Sequence, residues 1–392
     1  MKIPLLNTSI EKIKNPLKIH HVWVSILTWI ILLAPAQASV IMRVAIEQNA
    51  ERVQVGSSTE AVVKDSSGRV LGPLPAMSAY YVQPSPGGGI ALDKWQSGLF
   101  WIEPKGKGFV YIGDKWYRGR TLVIPTEKGI TAVNWVDLEE YLYSVVGSEM
   151  DPRWPEEALK AQAIAARTYA LQRREKNKSN RLFDLENTQL SQVYKGVIKE
   201  TPTTYKAVDT TKGKVLTYNN RPIESIFHAC SGGHTENNED FWKGKPLPYL
   251  RAVPGFDDNP QGLYAKRCIW QKTFSSEQIS AKFPSLKTIE KIEALDRTVN
   301  GSIKSLLVTD SEGKQVTING GSKVRNKFVL NSNKFNVQKQ DDKFIFVGRG
   351  WGHGIGMSQV GAYYLARQNI DHLRILGHFY GQQVYLTTIK AK

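Results

Sequence analysis

The stretch Gly147–Tyr169 reads GSEMDPRWPEEALKAQAIAARTY. It sets one carboxylate, Glu149, on a Met-Asp-Pro turn directly before a long, Ala-rich segment. Pro155 suits the first helical position, where its missing N–H has no partner to lose. Glu156 and Glu157 supply the acidic first turn that the helix dipole favours. Leu159, Ala163, Ala166 and Ala170 recur at helical spacing as a narrow stripe of mostly small apolar residues. Small residues permit close approach, so the pattern predicts a helix seated tightly on its neighbours. Glu149 then stands on a rigid turn at the mouth of that helix. A catalytic acid and a mere capping or surface carboxylate both fit that position, and the residues alone leave the two open.

Upstream of this stretch, segments rich in β-branched and aromatic residues recur between turn signals, at 40–46, 61–64, 79–82, 98–102, 109–112 and 129–133. They predict a β-rich N-terminal domain over residues 39–130, with the Pro-Ser-Pro-Gly-Gly-Gly run at 84–89 as an exposed loop. Its aromatics, among them Trp95, Trp101 and Trp116, either form the core of that domain or offer rings to sugars. A helix over 138–148 leads into the Glu149 turn, and the long helix runs on to about Lys176. Helix and strand alternate through 203–300. Strands are then expected at 303–309, 314–318, 328–330, 335–338 and 344–347, and helices at 358–368 and 373–379. The whole reads as α+β: a β-rich N-terminal domain followed by a mixed α+β domain over 131–392 with a cleft for its substrate.

The first 38 residues read as an export signal. Lys2, Lys12, Lys14 and Lys18 form a basic leader, Val22–Ala34 is an apolar run, and Ala36-Gln37-Ala38 offers a small-x-small cleavage pattern. The run falls short of the roughly 20 residues a membrane span needs, although an uncleaved anchor stays open because the leader is long. The expected address is outside the cytoplasm: periplasm or wall, with membrane attachment only through that segment. The formal charge is +16, of which the leader holds +3 and the rest +13. A basic exported chain seeks anionic partners, namely wall polymers with muramyl carboxylates, acidic wall glycans or anionic lipid. Export argues against nucleic acid. Cys230 and Cys268 both fall in the exported part, where a disulfide is expected between them.

Gly348–Gly356 alternates glycine with Arg349, Trp351, His353 and Ile355. In an extended conformation all its glycines would share one side, opening that face to a polymer or another strand. The spacing matches neither dinucleotide nor phosphate-loop patterns, which excludes nucleotide binding. His228-Ala-Cys-Ser-Gly-Gly-His234-Thr-Glu236 holds two His and one Cys, but not at zinc spacing and with no evident fourth ligand. No metal and no cofactor are expected.

The opening stretch resembles the signature of the stage II sporulation protein D (SpoIID/LytB) family, in which a Glu-Met-Pro-like turn precedes a Trp-Pro-x-Glu-Ala-Leu-Lys-Ala-Gln-Ala helix ending Ala-Ala-Arg-Thr-Tyr. Three further segments fit in order: Gln192–Gly196, Ser231–Glu236 and Gly350–Ala362. The resemblance spans about residues 130–385 and implies a lytic transglycosylase of peptidoglycan glycan strands, with Glu149 as its acid and then base. It also implies a preference for strands stripped of stem peptides, and hence a wall amidase as functional partner. The rival reading is a non-catalytic wall-binding module that enhances such an amidase.

Sugar-contact candidates follow. Ser231, Gly232, Gly233, Thr235 and Glu236 form a turn lining the glycan groove. His353, Gly354 and Gln359 sit at the cleft, with His353 bonding Glu149 or a sugar hydroxyl. Lys160 and Arg167 either hold muramyl carboxylates or are ordinary surface charge, and Tyr194 either stacks on a sugar or lies in the core. Some members of the family bind zinc through an adjacent Cys-His pair, which is Leu190-Ser191 here. Asp151, inserted before Pro152, is expected to raise the pKa of Glu149 if the two side chains approach.

Overall fold

The computed structural model describes residues 39–389 apart from Leu190, Lys243 and Pro260. The expected export signal lies outside the described residues. The fold is mixed α+β with a β-rich N-terminal region.

Two sheets build that region. In the seven-stranded sheet, Ile41–Ala50 lies between the short strand Leu185–Glu186 and Gly129–Asp137, and Arg120–Thr126, Phe100–Pro104, Ala61–Lys64 and Val70–Leu74 follow in order. The six-stranded sheet centres on Val53–Ser57, paired with Ala79–Pro84 on one side and Val110–Ile112 on the other. Alternating apolar residues explain the arrangement. Val44, Val55, Val63, Val82, Ile102 and Ile112 are fully buried and share one core. The expected domain boundary at 130/131 falls inside the strand Gly129–Asp137. That strand runs directly into the helix Leu138–Glu149, where the Asp137 carboxylate caps by accepting from the N–H groups of Glu139 and Glu140 at 2.8 and 3.3 Å.

The long helix spans Glu156–Lys176, with Pro155 at its N-cap, one position before the expected one. The expectation of one apolar stripe understates its burial. Ala158, Leu159 and every residue from Ala161 to Ala170 are buried. The reason is that the helix is enclosed by the helices Leu138–Glu149, Pro202–Thr210, Gln359–Arg367 and His372–Tyr380 and by the strand Lys214–Tyr218. A helix surrounded on this scale needs small residues on nearly every side, which its alanines supply.

Residues 269–349 form a lobe inserted into this scaffold. Ile269–Ser275, Lys343–Arg349 and Lys334–Gln340 make one three-stranded sheet, and Ile289–Arg297, Ile303–Asp310 and Gln315–Asn319 another. Trp270, Ile289, Leu306, Phe328, Phe335 and Phe346 give the lobe a separate core. Its ends lie side by side, since Ile269 pairs with Arg349 and the Gly350 N–H donates to the Cys268 carbonyl at 2.6 Å. A disulfide between Cys230 and Cys268 fastens the same point to the scaffold.

The strand expected over 328–330 is absent. Gly321–Phe328 is a helix whose Val324 and Phe328, one turn apart, both enter the lobe core, and Val329 ends it in a left-handed conformation (φ 52°). The glycine run is not extended either. Beyond Arg349 the backbone turns repeatedly, with φ of 89°, 114°, 78° and 73° at Gly350, Gly352, Gly354 and Gly356. Close approach is the cause. A Cβ on Gly356 would stand 2.2 Å from the Ile226 carbonyl, and one on Gly352 2.7 Å from the His228 Cβ.

Candidate active site

Glu149 is the last residue of the helix Leu138–Glu149, with Met150 as its C-cap. Its Oε1 accepts the Val193 N–H at 2.8 Å. Burial pushes its carboxyl above the usual carboxylate range, while the Val193 N–H, the hydrogen-bonding Gln359 side chain and the charge of Lys195 act in the opposite sense. The negative end of a helix also disfavours an ionised group there. The carboxyl is therefore poised to carry a proton at a higher pH than a surface glutamate does.

Glu149 opens into a cavity of about 820 Å³. The scaffold lines it with Tyr169, Arg173, Glu224, His228, Trp242, His353 and Gln359. The lobe adds Lys272, Arg325, Asn326 and Asn331. Trp351, half exposed, stands on the same cavity and offers a ring face. Gln359 is fixed by donating its amide to Gln162 Oε1 at 3.3 Å.

Two imidazoles stand together at the cavity, His228 and His353, with ring centroids 5.3 Å apart. His353 Nδ1 accepts the Ile355 N–H at 3.0 Å, and the ring also bonds the Phe227 backbone. Its nitrogens are thus engaged by backbone groups, and no bond to Glu149 is formed. His228 shares Nδ1 with the Ile355 carbonyl at 3.1 Å. Its Nε2 is buried with no partner. Burial holds both rings neutral, lowering His228 to about 3.

Of the residues expected at the site, the cavity gathers Glu149, His353 and Gln359 and leaves the others elsewhere. Arg167 is not a surface cation. It is fully buried, with Nη2 and Nε bonding Glu139 at 2.6 and 2.9 Å, because the long helix carries it into the core. Lys160 is taken by Glu156 and Glu157 at 2.7 and 2.9 Å. Tyr194 is buried, its hydroxyl donating to Asn134 Oδ1 at 3.0 Å. Its side chain belongs to the core while its neighbour Val193 serves Glu149.

The Ser-Gly-Gly turn has a structural task. Asp257, 2% exposed, accepts from Ser231 N (2.6 Å), Ser231 Oγ (2.9 Å), Gly233 N (2.7 Å) and Ser358 Oγ (2.6 Å). Gly232 lines a separate hollow of about 460 Å³ beside the lobe. Thr235 and Glu236 are buried, and Glu236 accepts the Ser302 hydroxyl at 2.6 Å. The positive-φ Gly354 does not line the cavity. Ser358 caps its helix by accepting from the Gly361 N–H at 3.1 Å.

Asp151 does not act on Glu149. Arg153 takes its carboxylate at 2.6 and 2.9 Å and holds it down at about 2. Among the described residues no group of three or more His, Cys, Asp or Glu is placed to hold a metal ion. Cys230 is spent in the disulfide, and Ser191, in the place of a metal-binding residue, accepts the Glu186 N–H at 3.2 Å.

Sequence reading missed Glu224, Tyr169, Arg173 and the lobe residues. Glu224 is paired with Lys176 at 3.1 Å and with Arg173 at 3.7 Å. Arg173 Nε also donates to the Tyr169 hydroxyl at 2.9 Å. The spacing of Tyr169 and Arg173, four apart on a helix, was an available signal for that contact.

A family model described as stage II sporulation protein (SpoIID) matches residues 126–218. The stage II sporulation protein D of Bacillus subtilis is 35% identical over 276 residues, which is 64% of this chain and 76% of that protein. The chain belongs to the SpoIID family. An uncharacterised protein of Brachyspira hyodysenteriae is 32% identical, over 70% of this chain and 73% of its own length. The B. subtilis amidase enhancer is 31% identical, over 61% of this chain and 39% of the relative. In this SpoIID member a second model, a domain of unknown function (DUF8618), matches residues 266–356, which is the inserted lobe with its two crossings. Among the described residues no helix is long and apolar enough to cross a membrane.

Proposed function

We propose that this protein is an exported lytic transglycosylase that cuts the bond between N-acetylmuramic acid and N-acetylglucosamine in peptidoglycan glycan strands, with Glu149 as acid and then base. The observation that carries the reading is one partly buried carboxyl with a raised pKa, held by Val193 and Gln359 at a cavity large enough for sugar rings. Protonated Glu149 gives its proton to the glycosidic oxygen as the bond to C1 breaks. The substrate's acetamido group stabilises the cationic centre. Glu149, now ionised, removes the proton from the muramyl 6-hydroxyl, whose oxygen closes on C1 to leave a 1,6-anhydro end. Water is not consumed, so one carboxyl suffices. Trp351 and Trp242 offer faces on which sugar rings can stack.

Mass spectrometry of products from intact and amidase-stripped peptidoglycan tests this. Anhydromuramyl ends from the native protein, absent with Glu149→Gln, are the expected result. Ordinary reducing ends would instead point to hydrolysis with Glu224 as second carboxylate. The similarity to an amidase enhancer favours one further reading, a non-catalytic wall-binding module acting with an amidase. Wall binding without cleavage of either substrate would select it.

A further inference from the structure

Three cations of the described residues line the cavity, and they differ in company. Arg173 is bonded to Tyr169 and paired with Glu224. Lys272 donates to the Val329 carbonyl. Arg325, on the lobe helix Gly321–Phe328, has no hydrogen bond or ion pair from its guanidinium to any described residue, although it is only partly exposed. Withdrawing a guanidinium from water without a counter-ion has a cost, and a fold tolerates it where the missing anion arrives with a ligand. Arg325 lies near enough to His228 and His353 for its charge to help keep both rings neutral.

The same cavity holds a second unpartnered group. The Nδ1 of neutral His228 is engaged with the Ile355 carbonyl, and a carbonyl can only accept. Nδ1 therefore carries the hydrogen, and Nε2 is a bare, buried acceptor on a residue that lines the cavity. The wall thus holds a charged donor within electrostatic reach of a neutral acceptor. Its complement is a ligand with an anionic oxygen close to an N–H or O–H. A muramyl unit has this pattern: a lactyl carboxylate on one ring carbon and an acetamido N–H on the next. A glucosaminyl unit lacks the carboxylate, and a muramyl unit bearing a stem peptide has a neutral amide in its place.

We propose that Arg325, supplied by the inserted lobe, reads the free carboxylate of a muramyl unit while His228 Nε2 accepts a neighbouring N–H or hydroxyl, so that the lobe sets selectivity for stripped strands. The proposal rests on the peptidoglycan reading above. It gives the region 266–356 a task, the cationic wall of a cavity whose acid comes from the scaffold.

The test compares short stripped glycan strands with the same strands after chemical reduction of their carboxylates to alcohols. Calorimetry on Glu149→Gln protein should show carboxyl reduction weakening binding by roughly 10- to 100-fold, the range for a charge-assisted pair. Adding Arg325→Gln should erase that difference, leaving affinity for the reduced strands unchanged. Arg325→Gln should melt no lower than its parent, because no hydrogen bond or ion pair to a described residue is lost. Equal discrimination with and without Arg325 overturns the proposal. Cleavage by the native protein separates the two readings. Discriminating binding without cleavage retains the carboxylate site and removes the catalytic reading, whereas cleavage indifferent to carboxyl reduction does the reverse.

Discussion

Val193 donates its backbone N–H to the Glu149 carboxylate at 2.8 Å. The Gln-Val-Tyr segment thereby fixes the acid from the main chain, while its own Gln192 and Tyr194 are buried and bonded to Tyr141 and Asn134. The orientation of Glu149 is thus built into core packing.

Glu149→Gln keeps an acceptor for Val193 but cannot carry the proton. Cleavage should fall by at least about a hundred-fold. The acid must be protonated, so activity of the native protein should decline as pH rises through the raised Glu149 pKa. The same shift has a stability consequence. A carboxyl raised above its unfolded value of about 4.3 stabilises fully below that pH and loses its contribution as pH rises through the folded value. The Gln variant should therefore melt higher than the native protein near neutrality, and the gap should close near pH 4. Calorimetric melts across pH check the sign.

Arg167 and Glu139 form a buried pair, with the Gly213 N–H also on Glu139 at 3.1 Å. Arg167→Met should cost about 3–5 kcal/mol by stranding that carboxylate. Urea unfolding measures it. A variant that lost only glycan affinity, with stability intact, would contradict the core placement.

Gly147→Ala inverts the usual helix rule. Alanine ordinarily favours a helix interior by about 1 kcal/mol over glycine. Here its Cβ would stand 2.0 Å from the Lys199 carbonyl oxygen. The expected net is a loss of about 1–3 kcal/mol. Because Glu149 is two residues away, activity should fall further than stability does, which parallel melts and product assays would resolve.

Asp257→Ala removes the acceptor shared by Ser231, Gly233 and Ser358. A loss of about 3–5 kcal/mol is expected, since buried donors are left without a partner. Reduction of the Cys230–Cys268 disulfide should lower stability by about 4 kcal/mol. Melts with and without a reductant measure the second effect.

Much of the scaffold can be read locally. The strands of residues 39–130 follow alternation, and the helix before Glu149 follows its Asp137 cap. The place of Glu149 is legible because its turn and the long helix lie in one stretch. Failures cluster where tertiary contacts decide. Arg167 looks like a surface cation until Glu139, from another helix, is placed beneath it. The glycine run alternates like a strand, yet the approach of Ile226 and His228 forces positive φ. Val324 and Phe328 are apolar at helical spacing, but Gly320-Gly321 and basic neighbours hide the helix. Glu224 and Arg325 reach the cavity from segments 75 or more residues from Glu149, with no motif to mark them.

The lobe leaves and re-enters the scaffold through one doorway, with Ile269 beside Arg349 and Cys268 bonded to Gly350. Its loss or replacement would ask the remaining chain to bridge only the gap already spanned by that contact. Inheritance can therefore treat the protein as two cassettes. One carries Glu149, while the other carries the far wall of the cavity. Grafts spliced at Cys268 and Gly350 would be the natural unit for changing the far wall of the cavity without rebuilding the surroundings of Glu149.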